Sequence, residues 1–148
     1  MLLSLALAGG AEEAVAALGQ APSTMIAASG VKRLAAAPAA QSGLYVLHET
    51  LLENGTRVRE YATPSGLVFA VAWRGPVLPD LSALLGDYFI SFKAETDQAR
   101  LIGKRGSPVN LERGDLVVSS SGRMRNFFGH AYAPALIPTG VNIKDVLQ

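Results

Sequence analysis

The stretch that most constrains this chain is Gly66-Leu-Val-Phe-Ala-Val-Ala-Trp-Arg-Gly75, a short unbroken apolar run bounded by glycines. Valine and aromatic residues dominate its middle, which reads as a strand buried on both faces at the centre of a sheet. Such a strand needs partners on either edge and a layer packed over it. The segments before it are placed to pair with it, and a helix after it is placed to pack on it.

Two strand-like runs, Leu44 to Leu52 and Thr56 to Ala62, precede it with Asn54-Gly55 between them. Asn-Gly is the strongest short hairpin signal, because a type I′ turn needs positive φ at both central residues. The same Asn54-Gly55-Thr56 matches a glycosylation acceptor, and the turn explains it better. A two-residue turn sets the register. Glu53 faces Thr56, Leu51 faces Val58, Glu49 faces Glu60 and Leu47 faces Ala62. On the other side Leu52 faces Arg57, Thr50 faces Arg59 and His48 faces Tyr61. Thr63-Pro64-Ser65-Gly66 is a second turn leading into the central strand, so three antiparallel strands form a meander.

Leu81, Leu84, Leu85, Tyr88, Phe89 and Phe92 follow the spacing of one helix face without a miss. Asp80 fits the helix start, where an acid favours the positive end of the dipole. Gly86 inside that helix is explained by close approach to the sheet, and the helix fades by Gly103. Beyond it, Val109 to Leu111 and Leu116 to Ser119 read as strands, Ser120-Ser121-Gly122 as a turn, and Met124 to Tyr132 as a strand with Phe127 or Phe128 inward. Ala135-Leu136-Ile137, between Pro134 and Pro138, reads as an extended edge, and Asn142 as the cap of a last short helix from Ile143 to Leu147. The fold class is α+β: an antiparallel meander, one long amphipathic helix packed on it, then further antiparallel strands. A roll curled around the helix, as in cystatin-like folds, is the alternative in detail.

The 148 residues suffice for one domain with a core. The chain divides into an export signal (1–16), an Ala/Ser/Pro-rich leader (17–43) and a single domain (44–148). Leu2 to Ala8 is a short apolar segment, and Ala14-Val15-Ala16 is a small-residue cleavage site before Ala17. A basic leading segment is missing, which an upstream start would account for, and Glu12 and Glu13 are unusual there. Cleavage removes both glutamates and leaves thirteen basic and ten acidic residues, formally +3. The competing reading is an ordinary amphipathic helix of a cytoplasmic domain. The leader has little core of its own, with Met25, Ile26, Val31 and Leu34 as its apolar residues. No run approaches the roughly 20 apolar residues of a spanning helix. A net charge of +1 gives no argument for nucleic acid or for an anionic membrane. The absence of cysteine excludes disulfides, thiolate catalysis and thiolate metal sites.

From Tyr45-Val-Leu-His-Glu49 through Gly55-Thr-Arg-Val-Arg-Glu-Tyr61, Val68-Phe-Ala-Val-Ala-Trp73, Pro79-Asp80-Leu81 and Leu84-Leu85-Gly86-Asp87-Tyr88-Phe89, the chain resembles an uncharacterised proteobacterial family, the domain-of-unknown-function family numbered 2844. Ala17-Leu18-Gly19-Gln20 fits the start of the mature part in that family, and Gly114-Asp115-Leu116-Val117-Val118 and Pro134-Ala135-Leu136 also fit. The resemblance implies a small exported protein of one domain and implies nothing about chemistry. The missing basic segment departs from the family's pattern.

Candidate chemistry starts with Glu49 and Glu60. Opposed carboxylates on neighbouring strands repel, so such a pair persists when a cation, an arginine or a shared proton offsets the repulsion. It offers an acid/base pair for a small enzyme, or a cation site. The plainer reading leans each glutamate on Arg57 or Arg59 on a solvated face. His48 stacked across from Tyr61 is a candidate ligand-binding pair. His48, His130 and Glu49 show no ligand spacing, so no metal is assigned. Lys104, Arg105, Arg123 and Arg125 are candidates for a basic patch at one end of the sheet, for an anionic ligand such as a polysaccharide or lipid headgroup. A solubilising surface is the alternative. Ser119-Ser120-Ser121-Gly122 lacks the nucleophile-elbow spacing, and Gly103-Lys-Arg-Gly lacks that of a phosphate loop. No cofactor is indicated. The expectation is a non-enzymatic periplasmic or secreted protein that binds an envelope partner or anionic ligand, or plays a structural part. The alternative is a small enzyme or cation-binding protein using Glu49 and Glu60.

Overall fold

The computed structural model describes residues 17–22, 32–33, 43–103 and 108–147. Its strands are β1 (Lys32–Arg33), β2 (Val46–Leu51), β3 (Arg57–Ala62), β4 (Val68–Gly75), β5 (Val109–Glu112), β6 (Val117–Arg123) and β7 (Asn126–Tyr132). They form one seven-stranded antiparallel sheet in the order β1-β2-β3-β4-β7-β6-β5. The glycine-bounded apolar run is thus the middle strand. After β4 the chain crosses through a helical segment, and a second meander returns so that β7 pairs with β4, Val71 opposite Ala131 and Trp73 opposite Gly129. The proposed signal at residues 1–16, and Met25, Ile26, Val31 and Leu34, lie outside the described residues.

The first hairpin differs from expectation by one residue. Gly55 N–H donates to the Leu52 carbonyl at 2.9 Å, and Leu52 N–H donates to the Thr56 carbonyl at 2.8 Å. Gly55 has φ 84, whereas among the described non-glycine residues only Arg125 has positive φ. Asn54 is therefore not left-handed, and the connection is a three-residue loop closed by a left-handed glycine, not a type I′ turn. Asn-Gly serves either turn. The longer loop shifts the register: Leu51 faces Arg57, Thr50 faces Val58, Glu49 faces Arg59, His48 faces Glu60 and Leu47 faces Tyr61. Because strand side chains alternate, this slip separates Glu49 and Glu60 onto opposite faces of the sheet. Thr56 is fully buried, and its hydroxyl donates to the Val77 carbonyl at 2.6 Å, so the turn uses the residues of the glycosylation match.

One face of the sheet is covered by α1 (Leu81–Leu85), a 3₁₀ turn (Gly86–Tyr88) and α2 (Phe89–Leu101). Leu84, Leu85 and Phe92 are buried against Val58, Val71, Trp73, Val118 and Ala131, with Leu81, Tyr88 and Phe89 beside them. These are the six residues that the helical spacing picks out. The Asp80 carboxylate caps α1, accepting from Ser82 N–H at 2.9 Å and Ala83 N–H at 3.4 Å.

The helix is broken at Gly86, which has φ 52 and ψ −127. A Cβ there would lie 2.6 Å from the Ala17 Cβ, so this glycine makes room for the segment Ala17–Gln20 and not for the sheet. Leu18 N–H donates to the Leu84 carbonyl at 3.0 Å, Gly19 N–H to Val68 at 2.8 Å, and Val68 N–H to Gln20 at 2.9 Å. Ala17 and Leu18 are 3% and 1% exposed, which makes them core residues wedged between α1 and β4 where sequence suggested a leader.

The other face, here the outer face, is half covered by the C-terminal segment. A bulge beside Tyr61 and Ala62 lets consecutive Phe69 and Ala70 join Tyr61 in a second buried cluster. Ile137, Val141, Ile143, Val146 and Leu147 pack on it. The last helix, α3 (Ile143–Val146), starts at the expected cap, with Lys144 N–H donating to Asn142 Oδ1 at 3.2 Å. Pro134–Leu136 is a 3₁₀ turn and not an extended edge. Ser120-Ser121-Gly122 continues β6, and the chain turns at Met124-Arg125. Gly122 is needed there because a Cβ would lie 2.6 Å from the Phe127 ring across the ladder. Neither phenylalanine of β7 is buried: Phe127 is half-buried and Phe128 is 46% exposed.

Candidate functional site: an arginine-lined cleft

Side-chain alternation sorts the outer face into rows. One row runs Leu51, Arg57, Arg74, Phe128 across β2, β3, β4 and β7. The next runs Glu49, Arg59, Ala72, His130. The C-terminal segment covers the row beyond, Leu47, Tyr61, Ala70 and Tyr132, and stops short of these two. The uncovered half is a cleft of about 630 Å³ whose lining includes Arg57, Arg59, Arg74, Phe128 and His130, with Leu147 as one wall. That volume suits a small organic ligand.

Glu49 does not line the cleft but is bound by two of its arginines. Its Oε2 accepts from Arg59 Nε at 2.8 Å, and its Oε1 lies 3.5 Å from Arg57 Nη1. The hydrogen bond to Glu49 holds the Arg59 guanidinium above its ordinary pKa, against the opposing effect of burial. Arg74 stands directly opposite Arg57. Like charges in that position destabilise a sheet, and no carboxylate of the described residues lies within 4 Å of Arg74. Among the described residues, three guanidiniums on this face thus stand against one carboxylate. His130 stacks on Tyr132 with ring centroids 6.3 Å apart and 18° between planes. Burial pushes its pKa down, which favours the neutral imidazole.

The sequence-predicted residues divide between the two faces. Glu49 lies on the outer face beside the cleft, paired with Arg57 and Arg59, while Glu60 is buried at 3% exposure on the helix-covered face opposite His48. The acid/base pair therefore does not assemble, and His48 does not face Tyr61. Tyr61 lies on the outer face beneath the C-terminal cover, edge-on to Tyr45 at 6.0 Å, and burial raises its pKa. Arg123 and Arg125 flank the β6–β7 turn, at the sheet end toward which the cleft residues Arg57, Arg74 and Phe128 lie. Lys104 and Arg105 lie outside the described residues. Among the described residues no group of three or more His, Asp or Glu is arranged to hold a metal ion, and no helix is long and apolar enough to cross a membrane. Sequence reasoning missed Arg74 and Phe128 as members of the site. The two-residue spacing of Arg57 and Arg59 was the available signal, since it puts both on one strand face.

Guanidiniums do not exchange protons in the physiological range; they present planar donor pairs that fit oxyanions. The cleft is chemically equipped to hold an anion.

Fold and cleft together define a small α+β protein with an arginine-lined cleft. The chain belongs to the family described as "Protein of unknown function (DUF2844)", which it matches over residues 14–146. No curated protein and no solved structure matches it.

Proposed function

We propose that this is an exported, non-enzymatic binding protein, periplasmic or secreted, that holds an oxyanionic ligand in the Arg57–Arg59–Arg74 cleft. The observation that carries this reading is Arg74, set opposite Arg57 in an open cleft, while the neighbouring acid, Glu49, is already engaged by Arg57 and Arg59. An anion seated between Arg57 and Arg74 relieves their repulsion and gains charge-assisted hydrogen bonds. Export is supported by the apolar segment and small-residue cleavage site before Ala17. Cleavage there leaves the docked segment Ala17–Gln20, with Ala17 and Leu18 buried, intact.

The test has two parts. The protein is expressed in its own host with the upstream coding region, and its N-terminus and compartment are determined. Ala17 as the first residue, in the periplasm or medium, is the expected result, and an intact Met1 in the cytoplasm contradicts export. Millimolar glycerol phosphate should raise the melting temperature of the wild type and not of Arg74→Ala. Equal responses of the two proteins contradict the cleft as the anion site.

A further inference from the structure

We propose that the end of the sheet toward which Arg57, Arg74 and Phe128 of the cleft lie docks on an anionic membrane leaflet, so that the oxyanion held by Arg57 and Arg74 is the phosphate of a lipid headgroup. This rests on the anion-binding reading of the cleft and adds the source of the anion. The antiparallel registers bring the β2–β3 turn, the end of β4 and the β6–β7 turn to one end, through Leu51–Arg57, Arg57–Arg74, Gly75–Phe127 and Arg123–Asn126. That end carries an apolar group in water: Met124 at 92% exposure, Phe128 at 46%, Val77 at 45% and Leu78 at 41%. Single exposed apolar residues are ordinary on any protein, but a cluster rimmed by charge is not.

The rim is basic. Arg57 and Arg74 stand in the cleft row, and Arg123 and Arg125 flank Met124 in the β6–β7 turn. Glu53 in the β2–β3 turn is exposed at this end. Glu49 is engaged by Arg57 and Arg59, and the Asp80 carboxylate by its helix cap. Arg125 has φ 64, a left-handed conformation that glycine adopts at no steric cost. The chain thus carries a guanidinium at a position where the backbone favours its absence. Apolar side chains that enter the headgroup layer, with arginines beside them for anionic lipid, are the combination that holds proteins at a membrane interface. The exposed Ile90, Leu101 and Ile102 of the α2 region lack this setting, since α2 pairs Lys93 and Arg100 with its own Asp97.

The experiment is co-sedimentation of the full chain with vesicles of phosphatidylglycerol and, separately, of phosphatidylcholine, alongside the melting-temperature response to glycerol phosphate. The protein should bind phosphatidylglycerol vesicles, bind phosphatidylcholine vesicles far more weakly, and release as salt screens the charge. Arg123→Gln and Arg125→Gly should each weaken partitioning about fivefold, and Arg125→Gly relieves strain and so keeps the fold. Met124→Ser combined with Leu78→Ser, neither of which lines the cleft, should weaken vesicle binding about tenfold or more and leave the glycerol phosphate response intact. If the wild type ignores phosphatidylglycerol vesicles while glycerol phosphate still stabilises it, membrane docking is refuted and the cleft reading stands. If neither binds, both are refuted. Equal binding to both lipids also overturns the proposal.

Discussion

Replacing Gly86 by alanine separates two descriptions of the helix by sign. In an ordinary helix interior glycine is about 1 kcal/mol worse than alanine, so a continuous helix would be stabilised by the change. Here Gly86 has φ 52 and ψ −127, where an alanine costs about 1–3 kcal/mol. Its new Cβ would also lie 2.6 Å from the Ala17 Cβ, with no flexible side chain to yield. Overpacking of that kind costs about 1–3 kcal/mol more. The expected loss is about 2–6 kcal/mol, a large share of the roughly 5–15 kcal/mol that holds a domain together. Urea denaturation followed by circular dichroism measures it, as a fall in midpoint at constant slope. Ala17→Gly in the Gly86→Ala background should recover the packing part, about 1–3 kcal/mol relative to the sum of the single changes, and leave the backbone part. A neutral or stabilising Gly86→Ala, or single changes that simply add, would refute the docking of Ala17 against this turn.

Leu18→Ala should cost about 2–5 kcal/mol in the same assay, because Leu18 is 1% exposed within the main core; a loss under about 1 kcal/mol would mean the wedge is not packed. Asp80→Ala should cost about 1 kcal/mol through loss of the helix cap. The Ser82 hydrogen bond holds the Asp80 carboxyl below its ordinary pKa of 3.8. Its contribution is therefore present above that value and lost as pH falls through the lower folded value. Acid titration of stability should lose this component in the Asp80→Ala variant. His130 has the opposite chemistry. Burial lowers its pKa below 6.5, so the unfolded chain binds the proton first. Stability should fall as pH drops below about 6.5 and level off once the folded value is passed. His130→Gln should flatten that part of the profile, and an unchanged profile would contradict the burial of the imidazole.

The parts of the fold written in periodicity were legible in the sequence. The run from Gly66 to Gly75 has no polar face, and it is the middle strand, covered by helices on one side and in part by the C-terminal segment on the other. The six apolar residues from Leu81 to Phe92 pack as their spacing requires. What escaped has no period. Ala17-Leu18-Gly19 is too short to show one, and its burial depends on a gap that Gly86 leaves. The register of the first hairpin turned on whether Asn54 or only Gly55 is left-handed, and one residue of difference exchanges the faces of a whole strand. That exchange removed the Glu49–Glu60 pair and placed Glu49 between Arg57 and Arg59. The cleft needed two further registers, β3 with β4 and β4 with β7, before Arg74 and Phe128 could be seen to join it.

The most direct test of the anion cleft is a residue-resolved NMR titration of the wild type and Arg74→Ala with glycerol phosphate. Shifts confined to Arg57, Arg59, Arg74, Phe128 and His130, and abolished in Arg74→Ala, are the predicted result. Shifts that persist in Arg74→Ala, that appear instead around His48 and Glu60 on the helix-covered face, or that do not appear at all would contradict it.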